Sequence, residues 1–256
     1  MNHADNKFSE YSIIGEICEK MNYAIFKDYE EMSTSAAEII IQEINENPYL
    51  FIGLTAEKSL LRILEFLADQ YRLGKVDFSN CRFASMYEWM GKGIDDEKSS
   101  NQFLIKNFFS QVNVSPTQII SFDGQSQTPV LECKRMDKNI VQNGGLDLVL
   151  LGIGPDSKIE FNRPSSHFSC YSHVQRIGSK YYDDTGDALN LPAAYLVGYK
   201  HIAGAREVLV IANGLKQAQL IKKTLKGNFH LHLKKKTLGY NTTYLLDQEA
   251  GSLLYI

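Results

Sequence analysis

Short runs of almost continuous apolar residues recur along the chain. The clearest lie at residues 146–154 and 207–212. A strand that is covered by helices on both faces needs apolar side chains on both faces, so these runs predict buried parallel strands. Further strands are predicted at residues 49–54, 81–86 and 118–122.

Apolar residues at helical spacing separate these runs. Helices are predicted over residues 57–71, 102–112, 128–143 and 216–225. An earlier helix is expected to begin at a cap formed by Ser33-Thr34-Ser35 and to end at Asn47-Pro48. A helical stripe is predicted before it, from Ile13 to Met21. Strands that alternate with helices predict a doubly wound α/β fold, with a mainly parallel sheet and helices on both faces.

Composition narrows the class of protein. No linker or repeat divides the 256 residues, so we expect a single α/β domain at residues 31–256 after an N-terminal extension at residues 1–30. The net charge of −3 disfavours a nucleic-acid partner. The polar N-terminus and the absence of a long apolar run predict no signal peptide and no membrane partner. Four scattered cysteines predict neither disulfides nor zinc, and a cytoplasmic location.

Ligands of doubly wound sheets bind at the carboxyl ends of the strands. Candidate site residues therefore follow Leu54, Met86, Gly154 and Ala212. These positions carry Thr-Ala-Glu-Lys-Ser at 55–59, Tyr-Glu-Trp at 87–89, Gly-Pro-Asp-Ser-Lys-Ile-Glu-Phe-Asn-Arg-Pro at 154–164 and Asn-Gly-Leu-Lys at 213–216.

This order and spacing resembles the glucosamine-6-phosphate and galactosamine-6-phosphate isomerase/deaminase family, which includes 6-phosphogluconolactonases. The resemblance runs from about residue 51 to the C-terminus and is closest to the galactosamine-6-phosphate branch. The residues that carry it lie at 119–122, 144–154, 161–164 and 205–209. It implies an amino-hexose 6-phosphate as the small-molecule partner, proton transfer between C1 and C2, and loss of ammonia from C2. It implies no cofactor and no metal, and it leaves a homo-oligomer open.

The chain departs from the family at positions that carry its acid–base chemistry. Tyr87 stands where the family has its base Asp, and a phenol with a pKa of about 10 is a poor base at neutral pH. Lys158 replaces the His that assists ring opening, and Arg163 replaces the Glu that supports this His. Asp156 and Glu88 are retained. The resemblance therefore predicts Asp156, Glu88, Tyr87 and Lys158 as catalytic residues.

The anion-binding positions have also changed. Glu57 and Lys58 stand at the positions of the family's phosphate-cradling glycines, and the family's last lysine maps to Lys216 or, without a one-residue slip, to Gln217. The predicted substrate- and phosphate-binding residues are Lys58, Ser59, Gly152, Gly154, Arg163, Lys180 and Lys216.

Three functions stay open on the sequence alone. The first is an isomerase/deaminase with altered catalytic residues. The second is a non-catalytic sugar-phosphate-binding or regulatory protein, because losing even one positioned acid–base group removes a factor of about 10² to 10⁴ in rate. The third is a hydrolase similar to 6-phosphogluconolactonases.

Overall fold

The structure is a computed structural model that describes residues 14–17, 21–153, 171–176, 181–182, 188–189, 193–226 and 241–255. The strands are β1 (Ile14–Ile17), β2 (Met21–Phe26), β3 (Phe51–Leu54), β4 (Arg82–Ser85), β5 (Tyr87–Trp89), β6 (Ile119–Ile120), β7 (Leu148–Gly152), β8 (His173–Arg176), β9 (Tyr181–Tyr182), β10 (Ala188–Leu189), β11 (Ala193–Leu196), β12 (Glu207–Ala212) and β13 (Thr242–Asp247). The α-helices are α1 (Tyr29–Glu46), α2 (Leu61–Arg72), α3 (Ser100–Asn107), α4 (Pro129–Gln142), α5 (Tyr199–Ala203), α6 (Ala218–Lys226) and α7 (Gln248–Gly251). No helix within the described ranges is long and apolar enough to cross a membrane.

Eight strands form the main sheet, in the order β1-β2-β13-β12-β7-β3-β4-β6. β1 is antiparallel to β2, and every other neighbouring pair is parallel. From β3 the chain adds β4 and β6 on one side, then returns through α4 to β7 and adds β12 and β13 on the other side. The predicted doubly wound fold is therefore confirmed, and the direction of winding reverses between β3 and β7.

Strand β7 shows why its sequence is a continuous apolar run. Leu148 and Leu150 are fully buried in the layer that contains α1, α2 and α3, whereas Val149 and Leu151 are fully buried in the layer that contains α4 to α7. Because helices cover both faces, side chains on both faces must be apolar. The strands predicted at residues 146–154 and 207–212 are confirmed as β7 and β12.

The N-terminal residues differ from the prediction. The helical stripe expected from Ile13 to Met21 is wrong, because Ile14–Ile17 and Met21–Phe26 are strands that pair with each other. Strand β2 also pairs in parallel with β13, so part of the predicted extension belongs to the main sheet. A short apolar run fits both the helical and the strand period. Here the strand is selected by its pairing with β13, which lies near the other end of the chain.

The predicted helices are present with shifted ends. α1 begins at Tyr29 rather than after Ser33-Thr34-Ser35, because Asp28 is its N-cap and accepts a 2.9 Å hydrogen bond from the Glu31 N–H. The helices expected at residues 57–71, 102–112, 128–143 and 216–225 correspond to α2, α3, α4 and α6. Short 3₁₀ turns at Lys58–Leu60 and Leu215–Gln217 precede α2 and α6.

A second, three-stranded sheet adjoins the carboxyl end of β4. It is antiparallel, with the order β5-β11-β8, and pairs Tyr87 with Leu196. Only Met86 separates β4 from β5, and its carbonyl accepts a 2.9 Å hydrogen bond from the Val197 N–H. Tyr87-Glu88-Trp89 therefore forms a strand of its own, in a sheet that the sequence pattern does not predict.

Hydrogen bonds of Asp137 join the second sheet to two helices. Asp137 Oδ1 of α4 lies 2.7 Å from His201 Nε2 of α5 and accepts a 2.9 Å hydrogen bond from the Ser172 N–H, next to β8. Burial opposes ionisation of Asp137, but the hydrogen bonds from His201 and Ser172 hold its pKa below the usual range. These hydrogen bonds therefore tie α4, α5 and the beginning of β8 together.

Candidate functional site

The reversal between β3 and β7 places a crevice at the middle of the main sheet. Strands β3, β4, β7 and β12 are parallel neighbours, so their carboxyl ends meet at one edge. Doubly wound sheets bind ligands at such an edge, where the winding reverses. The residues predicted after Leu54, Met86 and Ala212 lie at this edge, whereas Gly154 lies outside the described residues.

The loop that follows β3 is held to β7 and α1. Thr55 is fully buried, and its Oγ1 accepts a 3.2 Å hydrogen bond from the Gly152 N–H. The Tyr29 hydroxyl donates to the Ser59 carbonyl at 3.1 Å and accepts from the Arg62 N–H at 3.2 Å. The first contact fixes the loop to β7, and the contacts of Tyr29 fix it to α1.

Gly152 is a glycine because two side chains of this loop lie against it. A Cβ atom on Gly152 would come within 2.5 Å of Ser59 Oγ, 2.9 Å of Glu57 Cβ and 3.1 Å of Glu57 Cγ. Real Cβ contacts are not this short, so any other residue here displaces the loop. The structure thus brings the predicted Gly152 and Ser59 together.

The two predicted binding residues of the loop differ in exposure. The Ser59 hydroxyl oxygen is buried and has no hydrogen-bond partner among the described residues. Lys58 is exposed on the same turn.

Tyr87 has a packed position beside the loop. The residue is buried, and its hydroxyl donates a 3.1 Å hydrogen bond to the Ala56 carbonyl. Its ring meets the Trp89 ring edge-on, with centroids 5.9 Å apart, and both rings cluster with Ala194 and Leu196. A phenol in this environment links the second sheet to the loop, and its proton is directed at a carbonyl oxygen rather than shared with a ligand.

Glu88 is directed into the protein at the N-terminus of α3. Its Oε1 accepts hydrogen bonds from the N–H groups of Trp89 at 2.7 Å and Ser100 at 3.0 Å. Its Oε2 accepts from the Ser99 hydroxyl at 2.7 Å and from the Asn101 N–H at 2.9 Å. Both carboxylate oxygens are therefore occupied by donors of the helix and its cap.

The ionisation of Glu88 is governed by opposing effects. Burial raises its pKa, and the hydrogen bonds from Asn101, Ser99, Ser100 and Trp89 oppose that rise. The side chain is 1% exposed. This environment is that of a structural carboxylate that orders α3 next to the site.

The loop after β12 carries the two residues, Lys216 and Gln217, to which the resemblance maps the last anion-binding lysine. Lys216 is exposed, whereas Gln217 is buried and its Oε1 has no hydrogen-bond partner among the described residues. Gly214, with φ of 86°, begins this turn, and its N–H donates to both carboxylate oxygens of Asp247 at 2.9 and 3.0 Å. The charged candidate is thus at the surface and the neutral one is inside.

Sequence reasoning missed Asp247 because it did not predict β13. This residue ends β13 and caps α7, whose Ala250 N–H donates to Asp247 Oδ1 at 2.7 Å. Burial raises its pKa, against the hydrogen bonds from Ala250 and Gly214. The available signal was an Asp, a strong helix cap, directly after an apolar run.

Comparisons with known proteins show which family the chain belongs to. No protein-family model matches the chain. A glucosamine-6-phosphate deaminase of Thermoanaerobacter sp. (strain X514) is 30% identical over 241 residues, which cover 91% of this chain and 95% of that protein. The chain belongs to the glucosamine-6-phosphate deaminase family. A deaminase of this name from Halothermothrix orenii is 28% identical over 91% of the chain and 100% of its own length.

Solved structures agree with the fold of the glucosamine-6-phosphate deaminase family. A monomeric glucosamine-6-phosphate deaminase superposes with a TM-score of 0.83 and 25% identity, covering 90% of this chain and 99% of that one. The 6-phosphogluconolactonase from Leishmania guyanensis superposes with a TM-score of 0.73 and 19% identity over 91% of this chain and 98% of its own. The second likeness is one of fold alone.

The remaining predicted site residues of this deaminase-family member lie outside the described residues. They are Gly154, Asp156, Lys158, Arg163 and Lys180. Within the described ranges, no group of three His, Cys, Asp or Glu residues is placed to hold a metal ion.

Proposed function

We propose that this chain binds an amino-hexose 6-phosphate and acts on it as an isomerase/deaminase. The observation that carries the proposal is the 30% identity to a glucosamine-6-phosphate deaminase over 91% of the chain. The crevice between β3 and β7 supports it, because Gly152 and the Ser59 hydroxyl lie there and doubly wound sheets bind ligands at this place. We further propose galactosamine 6-phosphate as the preferred substrate, in a cytoplasmic enzyme.

The proposed reaction moves one proton and releases one amine. A base removes the C2 proton of the opened sugar, an acid returns a proton to C1, and water replaces the C2 nitrogen, which leaves as ammonia. We assign the base to Asp156 and the acid to Lys158, and the phosphate to Lys58, Ser59, Arg163, Lys180 and Lys216. We assign to Tyr87 and Glu88 the positioning of the loop and of α3, because their polar atoms are bonded to Ala56 and to the α3 N-terminus.

The test combines binding with turnover. Glucosamine 6-phosphate and galactosamine 6-phosphate are each added in a thermal-shift titration and in a coupled assay for ammonia. A ligand at 100 times its Kd stabilises the folded state by about 2.7 kcal/mol, which gives a measurable shift. We expect a shift with at least one amino sugar phosphate, none with inorganic phosphate at the same concentration, and ammonia release that Asp156→Asn abolishes.

A second candidate is a non-catalytic sugar-phosphate-binding protein. The hydrogen bond from the Tyr87 hydroxyl to Ala56 favours it, because this side chain stands where related enzymes have their base and is not placed to accept a proton. Binding without ammonia release would favour this candidate over the enzyme. The absence of any thermal shift across the sugar phosphates would contradict both.

A further inference from the structure

The hydroxyl of Tyr29 joins three elements next to the crevice. Tyr29 is the first residue of α1, and its ring packs against the layer of the core that contains α1, α2 and α3. The hydroxyl donates to the carbonyls of Ser59 at 3.1 Å and Lys58 at 3.3 Å, and it accepts from the Arg62 N–H at 3.2 Å. The turn Lys58–Leu60 and the beginning of α2 are therefore both bonded to one side chain of α1.

Helix α2 receives this bond in place of a cap of its own. Its N-cap residue, Leu60, makes no side-chain hydrogen bond to the helix, and Arg62 is the second residue of the helix. The first N–H groups of a helix have no partner within the helix and need an acceptor from elsewhere. The Tyr29 hydroxyl supplies such an acceptor from 33 positions earlier in the sequence. The beginning of α2 therefore depends on α1.

A second contact between the two helices lies at the surface. Glu30 accepts hydrogen bonds from Arg62 Nε at 2.7 and 2.8 Å, and the two side chains are 59% and 32% exposed. Exposed ion pairs contribute little, because water and salt screen the charges. The bonds of Tyr29 to Ser59 and Arg62 are partly buried. We therefore expect the hydroxyl, rather than the ion pair, to hold the turn Lys58–Leu60 against α1.

The same turn lies between α1 and β7. On the side of β7, a Cβ on Gly152 would come within 2.5 Å of Ser59 Oγ, so Ser59 lies against the end of this strand. On the side of α1, the carbonyls of Lys58 and Ser59 accept the Tyr29 hydroxyl. When the hydroxyl is removed, the turn is free to leave this position on the side of α1. The apparent affinity for a ligand then falls with the fraction of molecules in which the turn is in place.

We propose that Tyr29 is a positioning residue of the crevice, whose hydroxyl sets the affinity for the sugar phosphate by fixing the turn that carries Lys58 and Ser59. The inference rests on the proposed function, in which these two residues bind the phosphate. The hydroxyl is bonded to the backbone of the turn, so it acts on the ligand through Lys58 and Ser59. A hydrogen bond of this kind corresponds to about a 3- to 10-fold change in an equilibrium constant.

The experiment compares the wild type with Tyr29→Phe and two control variants. Tyr29→Phe keeps the ring that packs against the core and removes only the hydroxyl. The control Glu30→Gln weakens the surface ion pair to the same helix, and the control Tyr49→Phe removes the hydroxyl of a tyrosine that is 71% exposed. All four proteins are compared under conditions in which circular dichroism shows them to be folded.

The first readout is ligand affinity against turnover. The Kd values of glucosamine 6-phosphate and galactosamine 6-phosphate are measured by calorimetry, and KM and kcat are measured by ammonia release. We expect Tyr29→Phe to raise Kd and KM by about 3- to 10-fold and to change kcat by less than about 2-fold. We expect both controls to stay within about 2-fold of the wild type in all three quantities.

The second readout is hydrogen exchange of the protein without ligand. The Arg62 amide loses its acceptor in Tyr29→Phe and keeps it in both controls. It should therefore exchange faster in Tyr29→Phe than in the other three proteins. An unchanged exchange rate would contradict the positioning role.

The outcomes separate this inference from the proposed function. Failure of the wild type to bind either sugar phosphate overturns the proposed function and this inference with it. If the wild type binds and Tyr29→Phe has the same Kd, the inference alone is overturned. A Tyr29→Phe protein that is less stable in urea but binds as the wild type does when folded also overturns it, because the hydroxyl then has only a structural role. If the wild type binds without releasing ammonia, the Kd values decide.

Discussion

Replacement of Glu88 separates a structural from a catalytic carboxylate. In Glu88→Gln, an NH₂ group takes the place of one oxygen, and an amide NH₂ cannot accept a hydrogen bond. If it takes the place of Oε2, the Ser99 hydroxyl can turn to accept from it, but the Asn101 N–H is left unpaired in a buried position. An unsatisfied buried donor costs about 1 to 3 kcal/mol. We expect Glu88→Gln to lower the free energy of unfolding by about this amount, 1 to 3 kcal/mol.

The assay is urea unfolding followed by circular dichroism, with Glu97→Gln as the control. Glu97 is exposed in the loop between β5 and α3, so its substitution should change stability by less than about 0.5 kcal/mol. The pH dependence adds a second readout. Because burial raises the folded-state pKa of Glu88, its contribution is fully present below the unfolded pKa of about 4.3 and is lost as pH rises through the folded value. The stability advantage of the wild type over Glu88→Gln should therefore decrease as pH rises from about 4.3 through the folded-state pKa of Glu88.

One result would refute this reasoning. If Glu88→Gln unfolds at the same urea concentration as the wild type but loses ammonia release, the carboxylate acts on substrate and does not support α3. The structure leads us to expect the opposite pattern, in which stability falls and the residual activity follows the folded fraction.

Two further predictions follow from close contacts. Gly152→Ala should lower the free energy of unfolding by about 1 to 3 kcal/mol, since its Cβ would lie 2.5 Å from Ser59 Oγ. In urea unfolding, the additional substitution Ser59→Ala should recover part of this loss. Strictly additive losses in the double variant would contradict the contact. Asp137→Asn and His201→Gln should show a coupling above about 1 kcal/mol in a double-mutant cycle, and zero coupling would dismiss the hydrogen bond between the two side chains. Because the folded pKa of Asp137 is lowered, its contribution is present above the unfolded pKa of about 3.9 and is lost as pH falls through the folded value.

The main sheet was predictable from sequence because a strand that is buried on both faces is a continuous run of apolar residues. β7 and β12 are apolar on both faces, so each is visible without knowledge of its neighbours. β2 was not predictable in this way, since Met21–Phe26 becomes a strand through the edge of β13, more than 200 residues later. Local patterns do not carry information about such a partner.

The edge of the sheet that carries the candidate residues was predictable from sequence, whereas the contacts of their side chains were not. Gly152, at the end of β7, and Ser59, in the turn after β3, lie next to each other. This proximity was predictable, because the order of the elements determines which strand ends share an edge of the sheet. The orientation of Glu88 depends on α3, which begins 12 residues later, and on the cap Ser99. Nothing in the triplet Tyr87-Glu88-Trp89 shows that its carboxylate accepts hydrogen bonds from the N-terminus of α3.

The small sheet has a consequence for the kinetics of folding. Its β5–β11 edge pairs Tyr87 with Leu196, so residues roughly a hundred positions apart must meet before the hydrogen bonds of that edge form. Closing so long a loop is entropically unfavourable until the intervening strand β7 and helix α4 have docked. The carbonyl of Ala56 therefore receives the Tyr87 hydroxyl only on a core that already exists. We expect the contact between Tyr87 and the loop after β3 to form late in folding, so a chain stalled with only its main sheet would lack this contact at the crevice.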